Sequence, residues 1–366
     1  MIKKDDKFYM SLCLKLALKA KGKTFPNPLV GALVVKNNRI ISGAFHKKAG
    51  SLHAETLALA KAKTKSRGAT LYVTLEPCAH YGKTPPCVDQ IIKSGIKNVV
   101  VGMIDPNPVN NGKGVAILRK HGIKVKVGVL EKELVLINLP FIKYITTSLP
   151  LVTVKVAQSL DGRIATSRFQ SKWITSDQAR GFSHSLRKYY DAIILGVNTV
   201  VRDNPLLKEM PIKVVVDSSL RIPLEARILS EESKGKVIIA CIRSRLKEAE
   251  GMGPKTDKIK EKNCQILELK EKNGKVDLKQ LMRKLADLGI INVLVEGGGE
   301  LIGSLFDAKL VDKIMFFTAP KIIGGKNAVS SVEGQGRDLI YQAIKLRNLT
   351  VKKVGPDFLF EADVDY

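Results

Sequence analysis

Aromatic side chains are scarce in this sequence. Phe, Trp and Tyr make up 5% of its 366 residues, with a single Trp, which leaves no evident stacking platform for unpaired bases. Acidic residues are also few, 35 against 61 Lys and Arg, for a formal charge of +26. Such a charge raises nucleic-acid binding as a function. The lysines, however, are spread along the whole chain, so we read them as solvated faces that favour phosphorylated small substrates and expect no nucleic-acid partner. No apolar run approaches the roughly 20 residues needed to cross a bilayer. The opening Met1-Ile2-Lys3-Lys4-Asp5-Asp6 lacks the apolar core of an export signal, so neither membrane insertion nor export is expected. Cysteine is too sparse for a disulfide framework. Of five, Cys13, Cys241 and Cys264 are scattered in apolar or strand-like surroundings, the usage of a reduced, cytoplasmic protein.

The other two cysteines have a different setting. His53-Ala54-Glu55 precedes a strand-like segment, which ends in Pro77-Cys78, and Cys87 follows Pro85-Pro86 at the start of a helical pattern. One imidazole and two thiolates suffice to hold Zn²⁺ with its fourth position left to water. Glu55, two residues beyond the His, is poorly placed to ligate the same metal from a helix but can stand beside that water as a proton shuttle. Alone, a His-x-Glu is commonly a solvated helix face and a Cys a small buried hydrophobe; in this order they form the constellation of a zinc deaminase. Helix starts at both cysteines would favour the thiolates.

The length suits two domains, for which we take 1–147 and 148–366. In the first, residues 6–21 read as an amphipathic helix capped by Asp5 or Asp6 and stopped at Gly22. Two strands, 29–35 and 39–45, are joined by an Asn37-Asn38 hairpin. A helix over about 53–65, strand 69–75, helix 86–94, strand 98–104, helix 113–121 and strand 124–130 follow, an alternation that implies a sheet covered by helices. A helical stretch over 131–147 is expected to be interrupted by Pro140. In the second, strands are expected at 151–157, 192–195, 213–217, 236–241, 292–295 and 313–319, with helices near 176–188, 277–288 and 299–307, giving a mostly parallel sheet. The lysine-rich stretch 246–275 reads as a surface excursion.

These residues resemble a known family. Phe25-Pro26-Asn27-Pro28-Leu29-Val30-Gly31, His53-Ala54-Glu55 and the run Thr74-Leu75-Glu76-Pro77-Cys78-Ala79-His80-Tyr81-Gly82-Lys83-Thr84-Pro85-Pro86-Cys87 look like the deaminase half of the bifunctional riboflavin-biosynthesis deaminase/reductase, and Asp105-Pro106-Asn107-Pro108 with Gly112 and Gly114 fits the same half. Lys155, Ser159-Leu160-Asp161-Gly162-Arg163-Ile164-Ala165, Ser171-Lys172-Trp173-Ile174-Thr175, Asp203-Asn204-Pro205, Val295-Glu296-Gly297-Gly298-Gly299 and Ala319-Pro320-Lys321-Ile322-Ile323-Gly324-Gly325 resemble its reductase half. The resemblance covers essentially the whole chain. Deaminases of tRNA adenosine or free cytidine share the His-Ala-Glu core but usually place two residues between the cysteines; eight stand here, which argues against a nucleic-acid-editing enzyme.

The resemblance implies an α/β protein of two domains, cytidine-deaminase-like (an α/β/α sandwich) and then dihydrofolate-reductase-like, and a homo-oligomer. It implies one Zn²⁺ per chain and NADPH as cofactors. The implied substrate is a pyrimidine bearing a ribosylamino 5′-phosphate, first deaminated at its 2-amino group and then reduced from ribosyl to ribityl. By position, Asn27, His46, His80 and Lys83 correspond to deaminase substrate contacts. Ala157, Trp173, Thr199, Asp203 and the stretch Gly298, Gly299, Glu300, Leu301, Ile302, Gly303 and Ser304 correspond to the nucleotide site. Lys155, Ser171, Arg187, Leu207 and Glu296 correspond to the sugar-phosphate site, where Arg187 can hold a phosphate bidentately. Lys155 and Asp161 are polar candidates near hydride transfer. One departure stands out. After Asp203-Asn204-Pro205-Leu206-Leu207 the family usually shows Thr, a spacer and Arg, but this chain reads Lys208-Glu209-Met210-Pro211-Ile212-Lys213. The missing Arg implies weaker reductase substrate affinity, with Lys208 as a substitute charge, and keeps open a deaminase whose second half is only structural.

Overall fold

The structure, a computed structural model, describes residues 5–81, 85–244, 254–262 and 264–366. Contacts divide the chain into two units, Met1–Ser148 and Leu149–Tyr366.

In the first unit, helix α1 (Asp6–Leu18) starts where the Asp5 carboxylate accepts the Phe8 N–H at 2.8 Å, the N-cap geometry that satisfies an otherwise orphaned donor. Strands β1 (Gly31–Lys36) and β2 (Arg39–Phe45) form the expected hairpin, with Asn37 and Asn38 at φ 50° and 60°, the left-handed pair that a two-residue turn requires. Helix α2 (Ala54–Ala62), β3 (Thr70–Leu75), α3 (Cys87–Lys93), β4 (Asn98–Met103), α4 (Lys113–Lys120) and β5 (Lys124–Val127) follow. The sheet order is β2-β1-β3-β4-β5, with β3, β4 and β5 parallel. Almost every residue of β1, β3 and β4 is buried, so both faces of the sheet must be covered. Met10, Ala58, Ile91, Leu118 and Leu134 from the flanking helices share its core. The stretch 131–147 is indeed broken, into α5 (Glu131–Ile137) and α6 (Leu139–Thr147). The break falls at buried Asn138, and Pro140 sits in the first turn of α6, where a missing N–H costs nothing. The Asn138 side chain accepts from Leu29 N at 2.7 Å and donates to Leu29 O at 3.2 Å, pinning the segment that leads into β1.

The second unit is built on a nine-stranded sheet. Its order is β11 (Cys264–Leu269), β10 (Lys236–Ile242), β9 (Ile212–Val216), β8 (Ala192–Gly196), β14 (Asn292–Val295), β6 (Leu151–Ser159), β15 (Lys313–Ala319), β18 (Asp357–Asp365) and β17 (Lys345–Val354), while the short strands β7 (Arg163–Ala165) and β16 (Val329–Ser330), and β12 (Glu271–Lys272) and β13 (Lys275–Val276), pair outside it. The first seven run parallel; β18 and β17 close the sheet antiparallel. Helices α7 (Asp177–Arg187) and α8 (Val197–Asp203), then Leu278–Asp287 and Gly299–Asp307, connect the strands. The expectation of a surface excursion over 246–275 is corrected. Residues 245–253 and 263 lie outside the described ones, but Pro254–Glu261 is a helix and β11 is a sheet strand. The lysines flank this strand rather than lie in it: Leu267 and Leu269 are buried on one face and Cys264 on the other. The β18–β17 pair was also missed: β17 is exposed along nearly its whole length, so no buried face shows in its sequence.

Candidate active sites

His53 is the N-cap of α2, Glu55 lies in that helix's first turn, Cys78 follows β3 in a loop, and Cys87 is the first residue of α3. The fold thus gathers donors far apart in sequence. His53 Nδ1 is 3.1 Å from Cys87 Sγ and 3.6 Å from Cys78 Sγ, and all three ligand atoms fall within 4.8 Å of one another. Tetrahedral zinc, with bonds of about 2.0 Å to nitrogen and 2.3 Å to sulfur, holds such ligands at roughly this separation, so the donor set fits the metal. Cys87 N donates to Cys78 Sγ at 3.3 Å. That bond, the Cys87 thiol above all, and the nearby His53 pull the Cys78 thiol down to about 4. Cys87 is pushed up by the neighbouring Cys78 sulfur and by burial; a bound divalent cation deprotonates coordinating thiols outright. Only Cys87 stands at a helix start, so the reading that both thiolates are favoured that way is corrected. Cys78 depends on its neighbours instead.

Glu55 is only 4% exposed. Burial pushes its carboxyl up to about 7, against the pull of His53, which places it where a proton moves either way near neutral pH.

Two of the residues expected from the resemblance to contact the deaminase substrate, Asn27 and His46, gather beside this centre. Buried His46 contacts the His53 ring edge-on, centroids 5.7 Å apart. Its Nδ1 donates to Leu52 O at 3.3 Å, which leaves Nε2 to accept from Asn27 Nδ2 at 3.1 Å. Burial keeps this imidazole's pKa low and hence the ring neutral. His80 Nδ1 is buried with no hydrogen-bond partner among the described residues. Lys83 lies outside the described residues.

A buttress that sequence reasoning did not identify holds the Cys78 loop. The buried Glu76 carboxylate accepts from Asp105 N at 3.1 Å, Gly112 N at 2.8 Å and Val115 N at 3.0 Å. Asn110 accepts from Ala79 N at 2.9 Å and donates to Asp105 Oδ2 at 3.2 Å. At Gly114 a side-chain carbon would come 2.1 Å from Pro77 O, so only glycine lets α4 approach. The signal available in the sequence was an acid set immediately before a Pro-Cys pair.

In the second unit, a cavity of about 980 Å³ is lined by Thr199, Gly298, Glu300, Leu301 and Ser304, with Arg221, Lys272 and Lys275 also lining it. Ala157, Trp173 and Asp203 do not line it. Trp173 is 63% exposed under the Arg180 guanidinium, 4.1 Å from its ring centre, and Asp203 accepts from Ser171 Oγ at 3.3 Å. Gly298 precedes the helix Gly299–Asp307, whose free N–H groups suit a phosphate, and a side-chain carbon there would meet nothing closer than Thr199 Oγ1 at 3.9 Å. At Gly299 the same carbon would lie 2.2 Å from Ser330 O, and at Gly303 1.9 Å from Glu333 O. These two glycines and core residue Ile302 therefore face protein, while Gly298 faces the cavity.

Three of the residues that the resemblance assigns to a sugar-phosphate site, Lys155, Arg187 and Glu296, form an ionic cluster. Buried Arg187 donates through Nε and Nη2 to Glu296 at 3.0 and 2.9 Å, and through Nη1 to Glu209 at 2.6 Å. Lys155 Nζ is 3.7 Å from Glu296. Burial alone would raise the Glu296 carboxyl; Lys155 and Arg187 more than offset it and hold it at about 2. Leu207 is a core residue. Lys208 is exposed and 3.7 Å from Glu232, so it does not join the cluster; its neighbour Glu209 does. Asp161 accepts from Ser159 Oγ, Ile323 N and Gly324 N, which makes it a loop staple.

Residues 150–360 match the RibD C-terminal domain family, and residues 3–103 match the cytidine and deoxycytidylate deaminase zinc-binding region. The riboflavin biosynthesis protein RibD of Aquifex aeolicus is 44% identical over 98% of both chains. That of Escherichia coli is 36% identical over 96% of this chain and 98% of its own. Among solved structures, Acinetobacter baumannii RibD superposes with a TM-score of 0.86 at 33% identity, covering 99% of each chain. A diaminohydroxyphosphoribosylaminopyrimidine deaminase/5-amino-6-(5-phosphoribosylamino)uracil reductase from Thermotoga maritima gives 0.82 at 36%, covering 98% of each.

Proposed function

The chain belongs to the RibD family of riboflavin-biosynthesis deaminase/reductases, and from that premise we propose which step each unit performs and with which residues. The enzyme is bifunctional, a deaminase followed by a reductase. For its substrate we take the class named for the Thermotoga relative, a diaminopyrimidine carrying a phosphoribosylamino group. The observation that carries the first step is the triad His53, Cys78 and Cys87 within 4.8 Å, with buried Glu55 in the same helix turn as the His. One zinc held there supplies a Lewis acid that acidifies water. Glu55 takes the proton as the water's oxygen bonds to ring carbon 2, then returns it to the amine as the carbon–nitrogen bond breaks. Asn27, fixed by His46, offers the ring edge a donor and an acceptor; His80 and Lys83 contact the same substrate.

For the second step the cavity of about 980 Å³ would hold NADPH, which would supply the hydride that reduces the opened ribosyl group. Thr199, Gly298, Glu300, Leu301 and Ser304 line that cavity, and Ala157, Trp173 and Asp203, outside its lining, would complete the nucleotide site. Lys155, Ser171, Arg187 and Glu296 hold the sugar phosphate. Gly298→Ala is expected to keep the wild-type melting temperature but raise the KM for NADPH about tenfold. Gly299→Ala is expected to lower stability by roughly 1–3 kcal/mol through overpacking, read by thermal melting. Equal melting losses in both would show that neither glycine faces a ligand.

We also propose a homo-oligomer, supported by the free edge strand β17 with exposed Leu346, Leu349 and Val351; such an edge invites pairing, and a single-chain mass by light scattering would refute it. No helix among the described residues is long and apolar enough to cross a membrane, and the five cysteines are free, in keeping with work in the cytoplasm. The deciding experiment follows ammonia release and NADPH oxidation separately on the zinc-loaded protein with the phosphorylated diaminopyrimidine. Both signals are expected; ammonia alone would leave a deaminase with a structural second unit.

A further inference from the structure

Arg187 has more anionic company than a phosphate-binding arginine can use. Its Nε and Nη2 fork grips Glu296, and both side chains are largely withdrawn from solvent. Lys155 stands 3.7 Å from the same carboxylate. These three groups carry two positive charges and one negative, leaving one positive charge in surplus. Glu209 cancels that surplus. Its Oε1 accepts from Arg187 Nη1, the one guanidinium nitrogen not turned to Glu296. The Glu209 side chain is 43% exposed against 9% for Arg187, so the carboxylate stands between the buried cation and water, where an anionic ligand would approach.

The backbone beneath it is fixed. Met210 N donates to Leu207 O at 3.2 Å, and Leu207 and Met210 both lie in the core. Between these anchors Lys208 and Glu209 point outward, so Glu209 can leave Arg187 by side-chain rotation alone. A half-exposed ion pair of this kind is weak enough for a doubly charged phosphate, a stronger acceptor, to replace it.

We propose that Glu209 is a built-in competitor for the phosphate of the reductase substrate: it occupies Arg187 Nη1 in the free enzyme and must swing away before the phosphate binds. The proposal rests on the reading of Arg187 as part of the sugar-phosphate site. It assigns to Glu209 a role in setting substrate affinity that does not depend on Lys208, and it accounts for how a buried arginine remains charge-balanced between turnovers.

The test compares wild type with Glu209→Gln, an isosteric change that keeps a hydrogen-bond acceptor but removes the charge. NADPH oxidation is followed against the deaminated phosphoribosylamino substrate, with inorganic phosphate as competitive inhibitor. The KM for this substrate and the inhibition constant of phosphate are expected to fall together by roughly 3- to 20-fold, the range between a surface ion pair and a charge-assisted hydrogen bond. The KM for NADPH and ammonia release by the other unit should stay as in wild type, and the melting temperature should fall by roughly 1–7 °C, since the same ion pair is lost from the free protein. A substrate KM unchanged or raised, with NADPH oxidation intact, would overturn the role of Glu209 and leave the reductase reading standing. No NADPH oxidation by either protein would overturn both.

Discussion

Glu55→Gln should reduce ammonia release by about 10²- to 10⁴-fold, the usual contribution of a positioned acid–base group, while zinc content stays at one per chain. The amide matches the carboxylate in size, so the neighbouring donors His53, Cys78 and Cys87 are undisturbed. It cannot take a proton from water or return one to the departing amine. The same substitution should stabilise the metal-free protein. Burial raises the Glu55 carboxyl to about 7, above its ordinary value of about 4.3, so the folded state resists its ionisation. The cost is absent below the ordinary value, grows as pH rises through about 7, and is complete above that. Melting curves of chelator-treated protein at pH 8 should place the Gln variant higher, by on the order of 1–3 kcal/mol, and the two proteins should converge near pH 4. Ammonia release within tenfold of wild type would remove Glu55 from the mechanism.

The second large effect is expected at Arg187. Arg187→Met would leave the Glu296 carboxylate, only 12% exposed in its side chain, facing Lys155 at 3.7 Å without its bidentate partner. Breaking a buried pair from one side typically costs 3–5 kcal/mol, and a loss of about 3 kcal/mol lowers the melting temperature of a unit this size by roughly 6–12 °C. NADPH oxidation should be lost and ammonia release kept. The pH dependence has the opposite sign from Glu55. Glu296 is held at about 2, so its pairing stabilises the fold above the ordinary carboxylate value, and that stability is lost as pH falls from about 4.3 toward 2. The gap between wild type and variant should therefore narrow in acid. The double variant Arg187→Met/Glu296→Leu should recover part of the loss, because the buried carboxylate is no longer stranded, while Lys155 then loses its partner. A single variant that melts with wild type would show that the pair contributes nothing.

The deaminase centre is legible in the sequence because its chemistry restricts residue type: only certain side chains ligate zinc, and the fold brings His53, Cys78 and Cys87 together with Glu55 in the adjoining helix turn. The hairpin at Asn37-Asn38 was legible for a similar reason, since few residues accept two successive left-handed conformations. What escaped was decided by partners distant in sequence. Nothing in Glu209 itself announces a bond to a residue 22 positions earlier, and the direction in which Gly299 and Gly303 face depends on segment 330–334. Strand β17 has no buried face to create alternation, and β11 buries residues on both faces within a lysine-rich stretch, so it shows no alternation either. Lys208 was assigned the compensating charge on sequence position alone; the turn anchored by Leu207 and Met210 presents Glu209 to Arg187 instead.

The network around Glu76 has a consequence for how the enzyme acquires its metal. Three backbone N–H groups and the Asn110 amide tether the loop after β3 to the loop before α4 and to the first turn of that helix, and none of these bonds involves a metal ligand's side chain. In small zinc modules the ion must organise its own binding loop, so metal loss and unfolding are one event. Here the cradle is already cast in hydrogen bonds. Stripping zinc would silence the first reaction without collapsing the domain, and adding the ion back would restore activity at the pace of ligand exchange, with no refolding step in between.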